Sequence, residues 1–248
     1  MNKKSLDVVA HRGFAEKYPE NTLLSIQKAW ECGVRIIEFD IQLSKDGVAM
    51  VIHDDNLSRT SGENESVFNL TAQQLQGFHV DYAELFGDQF NSETIPRLSD
   101  FIHWMGDKSD VTFLVEVKEE SIEYFGAEKT ASEVINAMGD NRSQCTIISY
   151  DLNFLKYLRR IGWQSIGWVL RGYNDDVKQQ IDELQPEFVI CNVNRLPENN
   201  EALWQGYWQW VIYEITDVEI AQQLYQRGVQ SIETMCAEKM MKGLANYV

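Results

Sequence analysis

Short apolar runs rich in Val, Ile and Phe alternate along this chain with longer stretches whose apolar residues recur at helical spacing. The runs predict strands at Leu6–Ala10, Arg35–Ile41, Val111–Glu116, Cys145–Ser149, Ser165–Val169, Phe188–Cys191, Trp210–Tyr213 and Gln230–Glu233. Between them the spacing predicts helices at Thr22–Cys32, Leu98–Met105, Ala127–Met138, Leu152–Arg160, Asp175–Leu184 and Val218–Arg227. A weaker helix is expected near Pro197–Leu203 and another in the tail from Glu238. Strands that alternate with helices argue for parallel βαβ units. No Pro-, Ser- or Gly-rich linker divides the 248 residues, so the expected architecture is a single α/β TIM (β/α)8 barrel, a fold of about 250 residues. A doubly wound open sheet is the structural alternative.

One region breaks the rhythm. From about 54 to 96 the chain opens with the polar segment Ser58–Asn64 and continues into an aromatic-rich run around Tyr82–Phe90. It reads as an insertion after the second strand, kept ordered by its aromatics and long enough to form a small lid or subdomain.

Composition narrows the function. With 22 Lys+Arg against 38 Asp+Glu the formal charge is −16, which gives no general attraction to nucleic acid or anionic lipid and predicts no stable membrane association. A phosphate-bearing substrate would need a positive site built against that field. The four cysteines (Cys32, Cys145, Cys191, Cys236) form no CxxC pair and read as reduced, mostly buried residues. Met1–Lys4 is charged like the start of a signal peptide, but only Leu6, Val8, Val9 and Ala10 follow before His11. No run approaches the roughly 18 apolar residues of a membrane helix, and a cytoplasmic location is expected. Oligomeric state is not legible.

The chemistry gathers at strand ends. His11-Arg12-Gly13 follows the first strand directly; at the C-terminal mouth of a barrel it offers a proton carrier, a phosphate-binding fork and a glycine that permits close backbone approach. Pro19-Glu20-Asn21-Thr22 reads as a helix start, with Asn21 or Thr22 near the cap. In the second strand Glu38, Asp40 and Gln42 alternate with Ile37, Phe39, Ile41 and Leu43, so two carboxylates share one face. Turned inward, they require positive charge or a metal. Glu116 and Lys118 repeat the pattern one strand on. If the strands are neighbours, Glu38, Asp40 and Glu116 converge into an oxygen site suited to a divalent cation, Mg²⁺ or Ca²⁺; otherwise Glu116 and Lys118 make a structural ion pair. After the turn Lys45-Asp46-Gly47 an extended segment delivers His53 to the same mouth, and two histidines beside such a cluster suit proton transfer in both directions. His79 and His103 have no comparable neighbours and read as structural.

Taken together, His11-Arg12-Gly13, Pro19-Glu20-Asn21-Thr22, Glu38-Phe39-Asp40, Asp46-Gly47, His53-Asp54 with Leu57 and Arg59-Thr60, Ile95-Pro96-Arg97-Leu98 and Glu116-Val117-Lys118 resemble the glycerophosphodiester phosphodiesterase family. The resemblance is dense over the first half of the chain and extends through Ile148–Asp151, Gly167-Trp168 and Gly228-Val229. It implies a TIM-barrel enzyme that hydrolyses small-molecule glycerophosphodiesters to sn-glycerol 3-phosphate and an alcohol. It also implies Glu38, Asp40 and Glu116 as metal ligands, His11 and His53 as the acid–base pair, and Arg12 and Lys118 as phosphate binders. Where the family usually has Trp-Thr near the seventh strand this chain reads Tyr213-Glu214-Ile215-Thr216, and where it often has Thr-Asp near the eighth this chain reads Glu233-Thr234-Met235. Those departures predict an altered choice of alcohol with the metal and histidine positions kept. Two other functions stay open: lysophospholipid hydrolysis, which needs an apolar groove beside the site, and a non-catalytic barrel that binds a phosphodiester.

Overall fold

The computed structural model describes residues 6–80, 82–106, 108–198 and 201–245; Met1–Lys4 lies outside them. Its strands are β1 (Asp7–His11), β2 (Ile36–Leu43), β3 (Ala49–Val51), β4 (Thr112–Val117), β5 (Cys145–Ser149), β6 (Ile166–Leu170), β7 (Phe188–Asn192), β8 (Gln209–Tyr213) and β9 (Ser231–Thr234). All but β3 pair in parallel, in the order β1-β9-β8-β7-β6-β5-β4-β2, and the further pairing of β1 with β2 closes the ring. The barrel expected from the alternation is therefore what forms, with each predicted strand displaced by at most two residues at an end. β3 is the returning extended segment, hydrogen-bonded antiparallel to the far end of β2.

The period-2 pattern sorts the side chains as the pleat requires. Val9, Leu114, Ile148, Val169, Ile190 and Val211, from six strands, fill the barrel interior. The opposite faces of the strands pack beneath the surrounding helices. Phe39 is fully buried there, edge-on to Phe101 at 4.7 Å and to Phe113 at 5.0 Å between centroids. Truncating it by Phe39→Ala should lower stability by about 3–5 kcal/mol through lost burial and the cavity left behind. Urea unfolding would register this as a lower midpoint at unchanged slope.

Helices occupy the predicted places, at Leu23–Glu31, Leu98–Met105, Ala127–Met138, Leu152–Arg160, Asp175–Leu184, Val218–Gln226 and Ala237–Leu244. Two expectations need correction. Pro197–Leu203 contains no helix among its described residues (199 and 200 lie outside them), so β7 is followed only by the short turn Val193–Arg195. There Arg227 donates to the carbonyls of Pro197 and Glu201 and holds the segment as loop. Conversely, Glu119–Phe125 is a helix ahead of the predicted one; its acidic first turn complements the helix dipole, and Gly126 at φ 84° separates it from the next.

The insertion is ordered because it has its own apolar centre, Met50, Ile52, Leu57, Val67, Leu75 and Ile95, built on β3. All four cysteines are free thiols, with Cys145 and Cys191 buried. Among the described residues no helix is long and apolar enough to cross a membrane.

Candidate active site

Strand register brings the predicted residues together. His11 lies opposite Glu38 across β1 and β2, and Asp40 lies opposite Glu116 across β2 and β4. The three carboxylates converge: Glu38, Asp40 and Glu116 each offer an oxygen within 4.8 Å of the others. Glu38 and Asp40 are 1% exposed. At the mouth above them opens a cavity of 260 Å³ lined by His11, Arg12, His53, Glu116 and Lys118, with Ile148, Val169 and Ile190 as its floor. Five of the seven predicted site residues thus line this cavity, and Glu38 and Asp40 meet it through the lining residue Glu116. His79 and His103 do not line it.

The turn after β1 explains how Arg12 arrives there. Arg12 and Gly13 are both left-handed, at φ 55° and 82°, and a Cβ on Gly13 would come within 2.4 Å of the Ser25 hydroxyl oxygen and 2.7 Å of its backbone. Glycine is needed for close approach, as the sequence suggested, although the approaching group is a helix rather than a ligand. Thr22 is the N-cap, accepting from the Ser25 amide. Asn21, also left-handed at φ 58°, does more than precede a cap. Its Nδ2 donates to Asp40 Oδ2 at 3.0 Å and its Oδ1 accepts from the Asp40 amide at 3.2 Å.

Charge is distributed unevenly among the acids. Burial works against ionisation of Asp40, but Arg12 Nε at 3.1 Å and Lys118 Nζ at 3.5 Å outweigh it and hold the carboxyl below its usual range. Lys118 also donates to Glu116 Oε1 at 2.8 Å, yet burial, with Asp40 nearby, still leaves the Glu116 carboxyl raised. Glu38 is pushed well up by burial and by Asp40, Glu233 and Glu116; its Oε2 accepts from the Arg12 amide at 3.1 Å while Oε1 has no partner. Burial, reinforced by Arg12, lowers His11 to about 3, so its imidazole is neutral. A buried carboxylate oxygen without a donor, in an oxygen-only cluster, is the arrangement a hard divalent cation satisfies.

His53 is oriented from outside the barrel. Its Nδ1 meets Asp54 Oδ1 at 2.5 Å, and Arg59 Nε donates to Asp54 Oδ2 at 2.7 Å. Arg59 continues to both Glu20 oxygens, at 2.8 and 3.1 Å, and Glu20 accepts from Arg12 Nη1 at 2.9 Å. One chain of ion pairs therefore joins the two sides of the mouth, with Nδ1 of His53 engaged by Asp54.

Two features escaped the sequence reading. Glu233 does not merely adjoin the substrate side: it is 3% exposed, with Oε1 3.5 Å from His11 Nε2, and is pushed up to about 8 by burial and by Glu116 and Asp40. And no described residue of the insertion lines the 260 Å³ cavity. The insertion instead borders a separate groove of 810 Å³ with Arg59, Tyr82, Leu85 and Phe86, opposite Ala15, Glu20 and Met235. Both departing residues at the end of β8, Tyr213 and Glu214, line the cavity as Glu233 does, and Glu214 is held by Asn192 Nδ2 at 2.7 Å in a left-handed conformation of φ 66°.

Residues 11–196 match the sequence pattern of the Glycerophosphoryl diester phosphodiesterase family. A glycerophosphodiester phosphodiesterase of Caldanaerobacter subterraneus subsp. tengcongensis is 36% identical over 128 residues, 52% of this chain and 51% of that protein. One of Bacillus altitudinis is 34% identical over 128 residues, again 52% and 51% of the two chains. The matched stretch spans about half the length of these curated relatives. Among solved structures, an Oleispira antarctica phosphodiesterase in complex with the product sn-glycerol-3-phosphate superposes with a TM-score of 0.83 at 20% identity, covering 97% of each chain. A putative glycerophosphoryl diester phosphodiesterase from Silicibacter pomeroyi gives 0.83 at 17% identity, over 99% of this chain and 95% of the other. At those identities the likeness is one of fold.

Proposed function

This chain belongs to the glycerophosphoryl diester phosphodiesterase family, and we propose that it hydrolyses glycerophosphodiesters to sn-glycerol 3-phosphate and an alcohol, the whole chain acting as one such domain with its insertion at about 54–96. The observation that carries this reading is the convergence of His11, His53, Arg12 and Lys118 with the Glu38–Asp40–Glu116 carboxylates at one small mouth. The named activity of the relatives and the product held by the Oleispira antarctica structure point the same way.

In this reading Glu38, Asp40 and Glu116 hold a divalent cation, Mg²⁺ or Ca²⁺. Bound there, the ion supplies Lewis-acid polarisation of the phosphoryl group and offsets its charge. Arg12 and Lys118 stand at the cavity wall as phosphate contacts, fixed in place by the carboxylates they pair with. His11 accepts a proton from the attacking water as the water oxygen bonds to phosphorus. His53, its Nδ1 side fixed by Asp54, delivers a proton to the oxygen of the departing alcohol as the P–O bond breaks. The test is a panel of glycerophosphodiesters assayed with each metal for released glycerol 3-phosphate. Release that chelation stops and either ion restores is expected; no release from any diester with any ion rejects the reading.

Glu214 sets the alcohol preference in this scheme. Its carboxylate lies on the cavity wall, where charge attraction in a partly desolvated site favours a cationic leaving group. Native enzyme is expected to prefer glycerophosphocholine over glycerophosphoglycerol, and Glu214→Thr to reduce that ratio severalfold. An unchanged ratio of kcat/KM would remove Glu214 from specificity. A second reading, lysophospholipid hydrolysis, draws support from the groove beside the mouth, where Leu85 is 72% exposed. Lysophosphatidylcholine included in the same panel decides between them.

A further inference from the structure

The proposed reaction leaves one buried carboxylate unused. Glu233, at the inward end of β9, has an oxygen (Oε2) with no hydrogen-bond partner, and Glu38 has another (Oε1). His11 lies beside both acids, with Nε2 3.5 Å from the other oxygen of Glu233 (Oε1) and 3.9 Å from the oxygen of Glu38 (Oε2) that accepts from the Arg12 amide. Such separations are long for hydrogen bonds. They are close to the edge of a tetrahedron of nitrogen and oxygen ligands set about 2.0–2.2 Å from an ion, an edge of roughly 3.3–3.6 Å. Ligand atoms of all three residues lie within 4.8 Å of one another. Partnerless oxygens on acids that are 1% and 3% exposed are costly unless something cationic or protic meets them.

We propose that His11, Glu38 and Glu233 form a second divalent-cation position, of a kind suited to Zn²⁺, and that an ion bound there inhibits the enzyme by engaging the imidazole nitrogen of His11. The two positions share Glu38 but differ in donors. The Glu38–Asp40–Glu116 group offers oxygen alone, which suits Mg²⁺ or Ca²⁺, whereas an imidazole with two carboxylates favours zinc. An imidazole nitrogen whose lone pair is bound to a metal accepts no proton, so occupancy and turnover exclude each other. The inhibitory consequence rests on the phosphodiesterase reading; the binding does not.

The test loads the native enzyme with saturating Mg²⁺, titrates Zn²⁺, and follows bound zinc per chain beside the rate of glycerol 3-phosphate release. One zinc per chain is expected, with the rate falling in step with occupancy. Glu233→Gln keeps the shape and removes a ligand. It should weaken zinc binding by at least about 10–100-fold, the loss typical of disturbing even an outer partner of a metal site, and shift inhibition equally relative to its own zinc-free rate. Zinc bound as tightly by Glu233→Gln as by the native chain overturns the proposal. An independent measurement on the native chain covers a variant that misfolds: in protein carrying ¹⁵N-labelled histidine, zinc should shift the Nε2 resonance of His11, and an unmoved resonance overturns the proposal too. If no diester is hydrolysed at all, the phosphodiesterase reading falls while zinc binding at His11 is still decided by these two measurements.

Discussion

Asp40→Asn should bring glycerol 3-phosphate release down to background and abolish tight Mg²⁺ or Ca²⁺ binding, the largest effect expected of any single substitution in this chain. Asp40 is the most heavily committed of the acids. It pairs with Arg12 and Lys118, and Asn21 clamps both its carboxylate and its amide. A neutral amide at this position removes a charged oxygen from the proposed ion site and releases both cations from the geometry in which they face the cavity. It also leaves two largely buried cations short of a counter-charge, so stability should fall by about 3–5 kcal/mol, the usual consequence of breaking a buried pair from one side. Glu38→Gln separates the two consequences. Glu38 is held toward its neutral form by burial and by the surrounding acids, so an isosteric amide should leave metal-free stability nearly unchanged while activity is lost. Glu116→Ala should likewise lose activity. Calorimetric metal titration and thermal unfolding of the metal-free variants check both halves. Activity within tenfold of native in Asp40→Asn would remove this cluster from the reaction.

Much of this site was written in local sequence. The alternation of Glu38, Asp40 and Gln42 with Ile37, Phe39, Ile41 and Leu43 is a period of two, which a pleated strand converts directly into two faces. Once neighbouring parallel strands are assumed, Glu116 and Lys118 fall on the same inward face. What the sequence did not display is register between strands far apart in the chain. Glu233 sits in Ser231–Thr234, where one charged residue among small and apolar ones carries no periodic signal. Only the pairing of Val9 with Glu233 across β1 and β9 brings it up to His11. Asn21 was concealed differently. Its position next to Thr22 has a sufficient local explanation as a helix start, and nothing in that tetrapeptide indicates that its amide reaches a strand residue. The insertion was legible as ordered from its aromatics, but which face of the mouth it borders depends on how its apolar centre seats on β3. The absent helix at Pro197–Leu203 failed for a tertiary reason as well, the capture of its carbonyls by Arg227 from the far side of β8.

The two histidines should prove unequal when the leaving group is changed. His11→Ala and His53→Ala are each expected to lose on the order of 10²–10⁴ in kcat on glycerophosphocholine, with KM little altered, because in the proposed reaction each carries a proton and neither holds the phosphate. Equal losses on one substrate would not say which residue removes a proton and which donates it. A change of leaving group does. In the proposed scheme His11, beside the buried acids Glu38 and Glu233, is the acceptor, and His53, more open and with its Nδ1 fixed by Asp54, is the donor. An alcohol such as choline departs as a strongly basic alkoxide and needs that donor, whereas a nitrophenolate is stable enough to leave without one. On glycerophospho-p-nitrophenol, His53→Ala should therefore recover most of the native rate, while His11→Ala should remain as impaired as on glycerophosphocholine. The opposite pattern, with His11→Ala rescued and His53→Ala not, would reverse the two roles. A loss in His53→Ala that is the same for both substrates would mean that His53 positions the substrate and transfers no proton to the leaving oxygen.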